Sequence, residues 1–179
     1  MKRTLAVTVA TLALACPLLP VAGAQTAPHV MMTPDALKWT DVASLPGAKI
    51  AVLEGPLSES GPFTFRLKFP ANYQIPAHWH PAIEHVTVIS GTFNIGMGDK
   101  LDKSKTTPLK AGSIAIMQPK TNHFAWAQGE TIVQVHGVGP WGLNFVNPAD
   151  DPTKKGDTAK KGDAMKAGDA MKTGDAKKK

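Results

Sequence analysis

The chain has almost no cysteine. Cys16 is the only one in 179 residues, and it falls in an apolar stretch near the N-terminus. No disulfide framework is available, so an exported mature chain has to hold together by packing. Long amphipathic helical patterns are also missing. There is no Ser-His-Asp order, no Gly-rich phosphate loop, and no carboxylate pair beyond the lone Glu84. These absences remove the usual signatures of serine nucleophiles and of phosphate cradles.

Positive charge looks abundant but lies at the ends. The formal net charge is +6. Lys2 and Arg3 supply +2, and residues 154–179, with nine Lys and four Asp, supply +5. Residues 25–153 carry nine Lys plus Arg against ten Asp plus Glu, a net of −1. The folded part therefore has no basic stripe, which excludes nucleic acid as a partner.

Met1-Lys2-Arg3 is a short basic start, residues 5–21 are apolar, and Ala22-Gly23-Ala24 resembles a cleavage site. Residues 1–24 thus read as a secretory signal, cut between Ala24 and Gln25, with a periplasmic or secreted product and no transmembrane span left after the cut. An uncleaved anchor is disfavoured by the modest length and by Pro17 and Pro20. A lipoprotein signal is disfavoured because Ala13 stands where Leu belongs, three residues before Cys16. Residues 25–47 form an N-terminal arm. Within it Thr33 caps a short helical turn with Pro34 at its first position, and Trp39 is a packing anchor.

Residues 149–179 form a low-complexity tail that repeats Lys, Gly, Asp and Ala with a period of six from Lys154 onward. Such a segment cannot offset its ordering entropy, so a disordered tail is expected. Its alternative role is contact with anionic components of the cell envelope.

Residues 48–148 are dense in short apolar runs. Strands are expected at 49–54, 63–69, 84–90, 93–97, 113–117, 122–126, 131–138 and 143–146. Phe63, Phe65, Leu67 and Phe69 alternate with polar residues, which marks a half-buried strand. Pairs such as Gly55-Pro56, Gly61-Pro62 and Asn147-Pro148 punctuate the runs. Many short strands with regular turns make an all-β sandwich or barrel. Residues 99–110 are polar and read as a loop.

The chemistry-bearing stretch is His78-Trp79-His80-Pro81-Ala82-Ile83-Glu84. In a strand, alternate side chains share a face and rise about 3.3 Å per residue, so His78 and His80 reach toward one point. On a straight path Glu84 would lie about 13 Å beyond His80, too far for a metal bond of about 2 Å. Pro81 offers the bend that returns it. Residues 84, 86 and 88 should then face inward and His85 outward. His123 lies in a later Gly/Pro-marked segment and supplies a third imidazole. Three imidazoles and one carboxylate suit a single divalent transition metal: Fe, Mn, Ni, Cu or Zn. Gln134 and His136 share one face of their strand. If it points inward, they can bond a ligand or a metal-bound water; if outward, they are solvated polar residues.

This pattern resembles the cupin superfamily. His78, His80, Glu84 and Gly91 match its first motif at the family spacing, with Asn72 in place of the opening Gly. In the second motif Gly112 and His123 match. Pro119 is one position late, Lys120 replaces a Gly and Ala127 replaces an Asn. The resemblance covers residues 48–147 and implies a jelly-roll barrel, or double-stranded β-helix, holding a metal at His78, His80, Glu84 and His123. It implies a small-molecule ligand and allows a homodimer. It leaves two functions open: a metal-dependent enzyme, with dioxygenase-like oxidoreductase chemistry ahead of isomerase or decarboxylase chemistry, or a non-catalytic protein that binds or senses a metal or small ligand.

Overall fold

The structure, a computed structural model, describes residues 29–154. The expected signal segment, with its cut before Gln25, and the repeats from residue 155 onward lie outside the described residues. Residues 29–33 belong to a separate unit, and the β-structure belongs to the unit that begins at Pro34.

Eleven strands run in order: β1 (Thr40–Asp41), β2 (Lys49–Glu54), β3 (Gly61–Phe69), β4 (Gln74–Trp79), β5 (Glu84–Ser90), β6 (Thr92–Met97), β7 (Thr107–Lys110), β8 (Ile114–Met117), β9 (His123–Ala127), β10 (Thr131–Gly139) and β11 (Asn144–Phe145). They build a six-stranded sheet, β1-β2-β3-β10-β5-β8, and a five-stranded sheet, β11-β4-β9-β6-β7. Every pairing is antiparallel. The all-β jelly-roll expectation holds. The helical pieces among the described residues are three short 3₁₀ turns, the first at Pro34–Ala36 as the arm's sequence suggests. No helix there is long and apolar enough to cross a membrane.

The period-2 signal positions the core. Phe63, Phe65, Leu67 and Phe69 of β3 are all buried, as are Val86 and Val88 of β5 and Val133 and Val135 of β10. Ile75, Phe93, Ile95 and Ala125 meet them from the other sheet. Phe63 stacks on Phe65, and Phe69 on Phe93, with ring centroids 5.8 and 5.5 Å apart. Each such side chain contributes about 1.5–3 kcal/mol by leaving water. The arm joins in: β1 pairs with β2, Leu45 is buried, and Trp39 lies under the Lys68 ammonium, 4.8 Å from its ring centroid.

Two expectations need correction. Residues 99–110 are not all loop. After a 3₁₀ turn at Lys103–Lys105, β7 pairs with β6 at the edge of its sheet. Its exposed, polar sequence with Pro108 hides it, because an edge strand tolerates both features. The inward option for Gln134 and His136 also fails. The inner face of β10 belongs to Thr131, Val133 and Val135, so both polar residues lie on the outer face. There Gln134 Oε1 accepts from Arg66 Nε at 3.1 Å, and His136 stacks on His85 of β5 at 4.9 Å. His85 faces outward as its parity requires.

Candidate metal centre

β4 carries two of the imidazoles, and a bulge aims them. Ile75 pairs with Ala125 and His78 with His123, so β4 has one more residue than β9 between the two pairs. The extra residue falls at Pro76-Ala77. It inverts the alternation and places Ile75, His78 and His80 on the same inner side. After His80 the chain leaves the five-stranded sheet and enters the six-stranded one at Glu84, the first residue of β5. The bend expected at Pro81 is thus a crossing between sheets, and it returns the Glu84 side chain to the interior. His123 opens β9 beside His78. His78, His80, Glu84 and His123 are all buried.

The turns that carry these residues keep their shape despite unusual side chains. Asn72 has φ 62° and Lys120 has φ 58°, both in the left-handed region. The Lys120 amide donates to the His80 carbonyl at 2.8 Å, which ties the turn before β9 to the end of β4.

Each imidazole has its tautomer set by a backbone carbonyl. His78 Nδ1 lies 2.7 Å from the Pro76 oxygen, His123 Nδ1 2.9 Å from Thr121, and His80 Nδ1 2.8 Å from Gly142. A carbonyl oxygen only accepts, so each Nδ1 carries a proton, and in the neutral ring Nε2 then offers a lone pair. The three imidazoles present ligand atoms that lie within 4.8 Å of one another. Two nitrogens bonded to one ion at about 2.1 Å are at most about 4.2 Å apart. A modest inward shift of the rings would bring all three onto one ion.

Glu84 completes the set. Its Oε2 is 3.3 Å from His80 Nε2 and 3.6 Å from His123 Nε2. His80 Nε2 nevertheless has no hydrogen-bond partner. A carboxylate facing imidazole lone pairs is repelled unless a proton or a cation stands between them. Burial pushes the Glu84 carboxyl upward, but the His123 and His80 imidazoles together outweigh it and hold the group at about 2. Burial, reinforced by His123 and His80, holds His78 down at about 3. An ionised Glu84 and a neutral His78 are the protonation states that a first-row divalent ion requires of them. The residues present therefore fit such an ion.

The donors open onto a cavity of about 70 Å³ between the sheets. Its walls are apolar, among them Ile50, Leu67, Ile75, Ile95, Val133 and Leu143. Beyond the four donors, the lining residues with polar side-chain atoms are Ser44 and Trp141. Trp141 stacks on His80 at 4.5 Å and 18°, and packs on Phe65 at 5.0 Å. Its Nε1 is buried without a partner, a state that costs about 1–3 kcal/mol. Nothing in the local pattern around Gly139-Pro140 announces this role.

Comparison with known proteins agrees with the geometry. Residues 27–140 match the ChrR cupin-like domain. The chain belongs to that family. No curated protein matches it. Among solved structures, this ChrR-like cupin is similar to an RmlC-like cupin from Shewanella frigidimarina, with 16% identity and a TM-score of 0.50 over 62% of this chain and 91% of that one. It is similar to the polyketide cyclase RemF from Streptomyces resistomycificus, with 15% identity and a TM-score of 0.56 over 71% and 92%. An RmlC-like cupin from Ralstonia eutropha shares 18% identity and a TM-score of 0.50 over 63% and 69%. At such identities the likeness is one of fold.

Proposed function

We propose that this cupin holds one divalent transition metal at His78, His80, Glu84 and His123 and presents it to a small organic ligand. The observation that carries the reading is the set of three imidazoles, each locked by a backbone carbonyl, whose ligand atoms lie within 4.8 Å of one another, with the buried Glu84 carboxylate beside His80 and His123. A bound ion would supply Lewis-acid or redox chemistry in a cavity with apolar walls. The chain's own residues keep His78 neutral, hold the Glu84 carboxylate ionised and surround the ligand with hydrocarbon. In this reading the four donors leave coordination positions free for dioxygen or a chelating substrate, which supports a dioxygenase-like oxidoreductase.

A second reading has its own support. Among the described residues, the cavity offers no acid or base other than the four donors. Protein-driven isomerase or decarboxylase steps therefore lack a proton carrier, and a non-catalytic binding or sensing role needs none. Export to the periplasm through residues 1–24 belongs to this proposal. So does contact of the 149–179 tail with anionic envelope components.

Elemental analysis of the purified chain tests the metal: about one Fe, Mn, Ni, Cu or Zn per chain is expected, and none in His80→Ala or His123→Ala. Full metal retention in both variants would remove the site. Oxygen uptake with a small organic substrate, lost in both variants, selects the enzyme. Ligand-dependent stabilisation without product selects the binding protein. A mature N-terminus at Gln25 in the envelope fraction tests export.

A further inference from the structure

We infer that the ligand of this cavity is a short-chain monocarboxylate, bound with its head group at the metal and accepting a hydrogen bond from the Trp141 indole. The inference rests on the metal centre proposed above and narrows what it holds. Charge comes first. A divalent ion with three neutral imidazoles and the single Glu84 carboxylate keeps one net positive charge inside an apolar enclosure. One further anionic group neutralises it, whereas a second would be buried without a partner. Beyond the donors the lining contains no Lys, Arg, Asp or Glu, so nothing is present to meet a second charge.

The walls and the volume set the rest. Ile50, Leu67, Ile75, Ile95, Val133 and Leu143 suit a hydrocarbon body. The cavity of about 70 Å³ equals roughly five to seven waters on the scale where one water needs about 10–15 Å³. A ligand of about as many non-hydrogen atoms, such as butyrate, replaces them. Trp141 lines the same cavity, is stacked on His80, and has a buried N–H with no partner in the protein. A carboxylate oxygen is an acceptor of the kind that donor lacks.

The full-length protein loaded with Co²⁺ is titrated with acetate, butyrate, hexanoate, octanoate and succinate. Binding is read from the visible absorption of the ion and from thermal unfolding. Each CH₂ added within the cavity should tighten binding about fourfold, so butyrate should exceed acetate by about fifteenfold. The gain should cease by octanoate. Succinate should bind on the order of 100-fold more weakly than butyrate. Trp141→Phe keeps the aromatic stack and should weaken butyrate about tenfold with Co²⁺ content unchanged. Equal affinity for acetate and butyrate, or for succinate and butyrate, overturns the ligand class whether or not the Trp141 variant folds. Unchanged butyrate binding in a folded Trp141→Phe overturns the role of the indole. Co²⁺ bound one per chain with no response to any carboxylate sinks this inference and leaves the metal centre standing; failure to bind Co²⁺ ends both.

Discussion

Lowering the pH of the metal-free protein should destabilise it through His78. Burial, with His123 and His80 alongside, holds this imidazole at about 3 against an ordinary value of 6.5. The unfolded chain takes up a proton at His78 near pH 6.5, while the folded chain stays neutral there until about pH 3. The contribution of His78 to stability is therefore whole above pH 6.5 and is lost as pH falls toward 3. The slope within that window approaches about 1.4 kcal/mol per pH unit. Between pH 7 and pH 5 the loss amounts to about 2 kcal/mol. Glu84 is held at about 2 against 4.5, so its own contribution is present above pH 4.5 and is lost only below it. Urea unfolding in the presence of a chelator, at pH 7 and pH 5, measures the effect in the wild type and in His78→Gln. The wild type should lose about 2 kcal/mol more than the variant. Equal losses in the two proteins would refute a buried, neutral His78.

Three further outcomes are expected of the same structure. Zn²⁺ at about 100 times its Kd should stabilise the wild type by about 2.7 kcal/mol in urea melts; a chelator should reverse the gain, and its persistence in His123→Ala would contradict the site. Lys120→Gly should raise the stability measured in urea by about 0.5–1 kcal/mol, because it relieves a left-handed φ of 58°, partly offset by a freer unfolded chain; a lower midpoint would show that the lysine side chain matters more than the backbone. Gly96→Ala should destabilise by about 1–3 kcal/mol, since a Cβ there would strike the Phe124 ring and the Lys105 carbonyl; calorimetry showing an unchanged Tm would mean that the ring moves freely.

Much of the site was legible because its cues are local. The His78-His80-Glu84 spacing with Pro81 between places the donors once a bend is allowed. Asn72 keeps a left-handed turn, with φ 62°, where the family has glycine. The alternation of β3 names its inner face without reference to anything else. Other features escaped. The bulge at Pro76-Ala77 leaves Ile75 and His78 out of step with simple alternation. On β10 both faces carry apolar side chains, since Ile132 and Val138 share a face with Gln134 and His136, so period alone could not choose the inward one. The packing of β10 between β3 and β5 chose it.

The sequence by itself determined which atoms can bind a metal and which strands have a wet side, because donor chemistry and a two-residue period are written in neighbouring residues. Only the tertiary structure decided how the donors are aimed and what surrounds them. The carbonyl that orients His80 is Gly142, 62 residues away, and the ring stacked on it comes from Trp141. Such contacts join segments far apart in the chain. Closure of the two sheets on one another brings them together, and no local pattern encodes that distance.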